Sequence, residues 1–255
     1  MSKYHFIAIG GSAMHSLAIA LKKNGHEVTG SDDVIFDPSL TQLQEAEICP
    51  EPMGWFPEKI YLGLDAVILG MHAKKENLEL LAAQKLELPI FSYPEFIAHH
   101  AQHKTRVVIG GSHGKTTISA MVLHVLNYHQ KSVDYMIGAQ LEGFENSVYL
   151  SEDNEFIILE GDEYLSSPID LRPKFHHYKP QIGLISGIAW DHINIFKTEA
   201  DYNRQFEIFI DSITAGGVLV FNEADESLRK MVGKTQNTIR KEAYNILDHT
   251  VDSGV

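Results

Sequence analysis

The stretch GGSHGKTT, Gly110 to Thr117, places three glycines, a lysine and three hydroxyl groups between the apolar run RVVI and the helix-like ISAMVLHVLNYH. A glycine-rich turn between a strand and a helix can aim successive backbone N–H groups at a phosphate, where the positive end of the helix favours an anion. In such a turn Lys115 reaches the β and γ phosphates of a nucleotide and the Thr116 hydroxyl binds magnesium. Ile109 stands where the strict P-loop pattern has glycine or alanine, so the loop is a shorter variant. The competing explanation is a glycine turn with a chance Gly-Lys-Thr, and the flanking elements argue against it. Two further segments carry groups of the right type. LEGDEY offers Glu160, Asp162 and Glu163, and SGIAWDH offers Asp191 and His192. Magnesium prefers oxygen ligands, and a neutral imidazole can join its shell. Each acidic segment alone reads equally well as a solvated loop; beside a phosphate loop the ligand reading gains.

These groups need a scaffold that brings them to one edge. Near-continuous apolar runs at EFIILE, QIGLIS and GGVLVF read as strands buried on both faces, which is the pattern of a parallel sheet. In such a sheet the carboxyl ends of the strands share an edge. The helix after the glycine loop is expected to carry Ile118, Met121, Val122, Val125 and Leu126 on one face. Earlier in the chain, Tyr4 to Ile9 reads as a strand. GGSAMHSLAIALKKNG then gives a glycine turn and a helix stopped by Gly25, and HEVTGSD a second strand ending at Ser31 and Asp32. LDAVILG and LPIFSY are two more short strands around a helix. The expected fold class is therefore α/β: a Rossmann-like unit over residues 1–103, followed by a P-loop-type parallel α/β unit over 104–255, with the break in AHHAQHKT. The tail from Lys234 carries only a weak helical pattern.

The N-terminal turn IAIGGSAM could admit a pyrophosphate at Gly10 and Gly11, but Ala8 and Ala13 occupy glycine places of G-x-G-x-x-G, which argues against nicotinamide binding. Composition excludes other classes. With 44% apolar residues in 255, the chain can bury a sizeable core, and its one cysteine, Cys49, cannot form an internal bridge. No apolar run approaches the roughly 18 residues of a membrane span. A net charge of −13 disfavours nucleic acid and anionic membrane as partners. The expected setting is the cytoplasm. The groups His99, His100, His103 and His176, His177 lack zinc spacing and are expected on solvated surface, Trp55 and Trp190 in packing roles, and Cys49 as an inert thiol.

The order of a glycine-turn nucleotide unit, GGSHGKTT, EGDEY and WDHINIF resembles the Mur ligases of peptidoglycan synthesis, over roughly residues 4 to 232. Within the branch acting on UDP-N-acetylmuramate, VTGSDDVIFDPSLTQLQEAEI, KFHHYKP and DHINIF most resemble the members that add murein tripeptide in wall recycling, with the L-alanine-adding members second. The resemblance implies a three-part, ADP-forming amide ligase using ATP and Mg2+. Its first part binds the UDP-sugar, here through Gly10, Gly11, Ser12, Ala13, Met14 and Asp32. Its second binds ATP, here through Gly111, Ser112, His113, Gly114, Lys115, Thr116 and Thr117. Carried over by position, the catalytic set is Lys115, Glu160 and His192, the metal-binding groups are Thr116, Glu160 and His192, and His113 shapes the loop or meets phosphate. On this reading the chain is a fragment, lacking the acceptor-binding part and inactive in turnover by itself. Departures from the family pattern are Ser112 for threonine, Gly187 for asparagine and Ala189 for an acid; Ala13, in place of a glycine of the L-alanine ligases, favours the tripeptide branch. The alternatives are a non-catalytic binder of UDP-sugar and ATP, and a P-loop kinase or GTPase joined to an unrelated Rossmann unit.

Overall fold

A computed structural model describes residues 1–140, 143–144 and 146–245. Two sheets, each mostly or wholly parallel, divide the chain, as the α/β expectation requires. The first has the order β2-β1-β3-β4, all parallel, from β1 (Lys3–Ile7), β2 (Glu27–Ser31), β3 (Ala66–Leu69) and β4 (Ile90–Ser92). Helix α1 (Ser12–Lys23) connects β1 to β2, and α2 (Ser39–Glu45), α3 (Leu78–Lys85) and α4 (Tyr93–His100) follow in order. Helix α4 starts with a capping box, Ser92 and Glu95 each satisfying the other's backbone N–H, and carries Pro94 in its first turn.

The second sheet has the order β11-β10-β9-β5-β8-β6-β7. Its strands are β5 (Thr105–Gly110), β6 (Asp134–Met136), β7 (Val148–Tyr149), β8 (Phe156–Gly161), β9 (Ile182–Ile185), β10 (Val218–Asn222) and β11 (Arg240–Tyr244), with helices α5 (Lys115–Tyr128), α6 (Glu199–Ser212) and α7 (Glu226–Lys234). Only β7 runs antiparallel to its neighbour. Central β5 lies between β8 and β9, and the register sets Gly110 level with Gly161 and with Ile185. Everything that immediately follows these three strands therefore emerges at one edge.

One apolar cluster runs through both halves, from Phe6 and Ile68 of the first sheet to Val108 and Leu159 of the second. Helix α1 buries eight of its residues and touches the second half directly: Asn24 donates to the Leu150 carbonyl at 3.0 Å, and Ser147 and Ser16 share a hydrogen bond of 2.9 Å.

Two elements differ from what their sequence pattern suggests. On α5 the buried residues are Ser119 and Leu123, with Ile118, Val122 and Leu126 half-buried, whereas Met121 and Val125 are 64% and 54% exposed. The stripe in contact with the sheet is therefore narrower than the apolar spacing. The tail supplies edge strand β11 rather than a helix. Its sequence RKEAY shows no two-fold alternation because, among the described residues, it pairs with β10 alone and leaves both faces largely in solvent. Residues 246–255, the end of the unit expected over 104–255, lie outside the described residues.

Candidate active site

The loop after β5 is built for close backbone approach. Gly111 (φ +129°) and Gly114 (φ +79°) hold conformations that side chains oppose. A Cβ on Gly111 would sit 2.2 Å from the Ser186 hydroxyl. Gly114 is the N-cap of α5 and offers no side chain to the helix, so the first N–H groups of α5 have no side-chain cap. Ser112 anchors the loop to the segment after β9, its N–H to the Gly187 carbonyl at 2.9 Å and its hydroxyl to the Ala189 carbonyl at 2.6 Å. The His113 side chain and Thr117 are exposed, and the His113 carbonyl accepts from the Ser186 hydroxyl.

Lys115, in the first turn of α5, donates to the Gly111 carbonyl at 2.6 Å and to Glu163 at 3.0 Å. Glu163 is fully buried, and this ammonium is what makes burial of its carboxylate tolerable. Tyr202 of α6 donates to Glu163 at 3.0 Å and lies 3.0 Å from the Ser112 hydroxyl; burial pushes its own hydroxyl pKa well up. His192 Nε2 comes within 3.4 Å of the same carboxylate. His192 has φ +51°, a costly conformation for a non-glycine residue, and its N–H is held by Asp191 at 2.6 Å. The Thr116 hydroxyl donates to Glu160 at 2.9 Å, and Glu160 also accepts from the Gly138 N–H at 2.8 Å. Lys115, Thr116, Glu160 and His192 are thus gathered at the ends of β5, β8 and β9, with His192 reaching Glu163.

The donor set of this edge suits a hard cation: a threonine hydroxyl facing a carboxylate, and beside them Asp162, Glu163 and His192, whose ligand atoms lie within 4.8 Å of one another. Asp162 is shielded from water, which raises its pKa, but the Lys174 ammonium and the Tyr164 N–H outweigh burial and hold it below the ordinary value.

A cavity of about 250 Å³ separates this edge from the N-terminal turn. Gly11, Ser12, Ala13 and Met14 form one side; Glu160, Asp162 and Lys174 lie on the other. Gly10 and Asp32 do not line it. The Gly10 N–H donates to Asp32 at 2.8 Å, the Asp33 N–H takes the second Asp32 oxygen, and burial raises the Asp32 pKa. Asp32 therefore fastens the turn.

Lys174, Tyr202 and Gly138 belong to the site but were not anticipated. Lys174 stands in a segment dominated in sequence by its histidines, and the other two come from elements without a motif. Several peripheral expectations also need correction. His177 is buried against Ser166, which it meets at 2.9 Å, between Glu95 and Asp170, and His176 is half-buried and stacked on Phe175. His100 pairs with buried Asp134; only His99 and His103 are solvated. Glu95, Asp170 and His177 also place ligand atoms within 4.8 Å of one another, but Arg172 at 2.6 Å from Asp170 already supplies the cation there. Trp190 is exposed, tethered by its N–H to the Phe196 carbonyl, while Trp55 packs partly buried against the first sheet's satellite core. Cys49 is half-buried, and burial raises its thiol pKa. No helix among the described residues is long and apolar enough to cross a membrane.

Comparison with known proteins agrees with this geometry. Residues 109–252 match the model of the Mur ligase middle domain, and residues 3–105 that of the Mur ligase family, catalytic domain. The UDP-N-acetylmuramate–L-alanyl-γ-D-glutamyl-meso-2,6-diaminoheptandioate ligase of Haemophilus influenzae is 30% identical over 90% of this chain and 51% of its own length. The UDP-N-acetylmuramate–L-alanine ligase of Caldicellulosiruptor bescii is 29% identical over 94% of this chain and 50% of its own. Among solved structures, the UDP-N-acetylmuramate:L-alanyl-γ-D-glutamyl-meso-diaminopimelate ligase of Neisseria meningitides aligns with a TM-score of 0.85 at 29% identity, covering 95% of this chain and 78% of that one. The chain spans about half the length of the curated relatives it matches.

Proposed function

The chain belongs to the Mur ligase family, and on that premise we propose that it is the nucleotide-sugar- and ATP-binding portion of an ADP-forming ligase that joins murein tripeptide to UDP-N-acetylmuramate. Residues 1–103 bind the UDP-sugar on the Gly11–Met14 turn; residues 104–255 bind ATP on the Gly111–Thr117 loop. The observation that carries the reading is the cavity with that turn on one side and Glu160, itself bonded to Thr116, on the other. Tripeptide is preferred to L-alanine as acceptor because the tripeptide-ligase structure aligns over 95% of this chain at 29% identity with a TM-score of 0.85.

In this reading a lactyl carboxylate oxygen attacks the γ-phosphorus of ATP, the bond to ADP breaks, and the resulting acyl phosphate is attacked by the acceptor amine, releasing phosphate and forming the amide. A carboxylate lacks a usable leaving group, and phosphorylation provides one. The loop N–H groups hold the phosphates in line and Lys115 offsets charge on the β and γ oxygens. Thr116, Glu160 and His192 would hold Mg2+, which when bound adds charge neutralisation at the same oxygens. For Lys115 to reach phosphate it must leave or share Glu163; Tyr202 and His192 then remain to keep that carboxylate hydrogen-bonded. Titration calorimetry of this chain is expected to show saturable binding of UDP-N-acetylmuramate and, separately, of Mg-ATP. Nucleotide binding with no affinity for the UDP-sugar would favour the unrelated P-loop enzyme instead.

A further inference from the structure

The cavity between the two halves has an unbalanced charge inventory. Its lining includes two carboxylates, Glu160 and Asp162, and a single ammonium, Lys174. Lys115 does not line it, being turned to Glu163 and the Gly111 carbonyl. A substrate that brings its own carboxylate here meets two like charges in a partly dehydrated space, where repulsion is screened little. Among the described residues Lys174 is the one lining side chain with an ammonium to reverse that sign; the imidazole of His72 is the other basic group of the lining. Lys174 Nζ donates to Asp162 and, among the described residues, to no other hydrogen-bond acceptor, so two of its three N–H groups have no protein partner. The ammonium stands 5.5 Å from the ring centre of Tyr93 on α4 and 5.6 Å from that of Tyr164, so an aromatic ring from each half of the chain flanks it. Its side chain is 14% exposed, which fixes where the charge can be presented.

We propose that Lys174 is a positioning and specificity residue that receives the carboxylate of the sugar-nucleotide substrate and so selects a UDP-sugar carrying one. This rests on the functional reading above, in which the pyrophosphate lies on the Gly11–Met14 turn and the sugar extends across the cavity. The ion pair with Asp162 keeps the ammonium in place before substrate arrives, and the substrate carboxylate takes the N–H groups that Asp162 leaves.

The test compares two ligands that differ in the lactyl ether alone. Calorimetry of this chain is expected to show UDP-N-acetylmuramate binding roughly ten- to a hundredfold tighter than UDP-N-acetylglucosamine, the worth of a charge-assisted hydrogen bond. K174M should bind UDP-N-acetylglucosamine as the parent does and lose the preference for UDP-N-acetylmuramate, while K174R should restore most of it. Unchanged UDP-N-acetylglucosamine binding also shows that K174M is folded. Should K174M bind neither ligand, the D162N/K174M double variant, which leaves no unpaired carboxylate behind, takes its place: binding of both ligands alike supports the proposal. Retention of the preference in either variant, or equal binding of both ligands by the parent chain, overturns it and leaves the functional reading standing. Absence of binding of either UDP-sugar by the parent chain overturns that reading as well.

Discussion

The two glycine turns, Ala8 to Met14 and Gly110 to Thr117, use one backbone device for different electrostatic ends. Both leave a buried parallel strand and open a helix whose N-cap is a glycine without a side-chain cap. In the first, Asp32 holds the Gly10 N–H and the described turn presents no cation to the cavity. In the second, Lys115 stands in the first helical turn, aimed by buried Glu163. The first can hold a phosphate group only through N–H dipoles and the Ser12 hydroxyl. The second can also offset charge that develops on phosphate oxygens, and that difference is what assigns binding to one turn and chemistry to the other.

The contrast breaks most severely at Lys115. K115A is expected to abolish ADP formation in a protein that also carries the remaining half seen in the curated relatives, a loss of at least about 100-fold. In this chain it should weaken Mg-ATP binding roughly ten- to a hundredfold while sparing UDP-N-acetylmuramate. It also strands Glu163, which costs about 3–5 kcal/mol of stability. The K115M/E163Q pair separates the two effects: thermal stability should return and ATP affinity should not. Recovery of ATP binding in the double variant would show that the lysine serves the fold alone.

A second substitution sharpens the comparison at the backbone. G111A forces a side chain onto φ +129° and places its Cβ 3.0 Å from the Ser186 nitrogen and 3.1 Å from the Gly187 carbonyl, both backbone atoms that cannot step aside. A loss of roughly 2–4 kcal/mol is expected. G11A, at φ −60° with its nearest new neighbour at 3.5 Å, should stay within about 0.5 kcal/mol. Equal losses, read from denaturant midpoints, would mean that the two turns are equally constrained and that their difference lies in side chains alone.

The legible parts of this molecule were those written in contiguous sequence. GGSHGKTT shows a phosphate loop because every group it needs is local, and EFIILE shows a buried strand because both its faces are apolar. Lys174 and Tyr202 were not legible, since their meaning comes from Asp162 and Glu163, twelve and thirty-nine positions away. Asp32 was named through the family resemblance; its hydrogen bond with the Gly10 N–H becomes visible only once β1 and β2 pair. Edge strand β11 was missed for the complementary reason, as a strand with two wet faces carries no periodic signal. His177 was misjudged because spacing tests for a zinc site and says nothing about burial.

That histidine supplies the smallest expected effect and the last test of the comparison, because the two turns can act on one cavity only while the two halves stay docked. His177 lies on the second half and faces Glu95 of α4 across the junction, with Asp170 and Arg172 beside it. Burial lowers its pKa, with Arg172 acting in the same direction and the two carboxylates opposing. The folded chain therefore refuses a proton that the unfolded chain accepts. Stability contributed by the neutral ring is complete above the ordinary histidine value near 6.5 and declines as pH falls below it, until the folded value is reached. Half-buried His176 and His26 are shifted in the same direction, burial first in each. Unfolding free energy should thus fall between pH 7.5 and 5.5, with a slope of at most ~1.4 kcal/mol per pH unit for each histidine, and melting temperature with it. H177Q keeps a polar side chain facing Ser166 and should flatten that dependence while leaving stability at pH 7.5 nearly unchanged. A slope that H177Q does not alter would assign the acid sensitivity to His26 and His176 and remove the junction from any part in it.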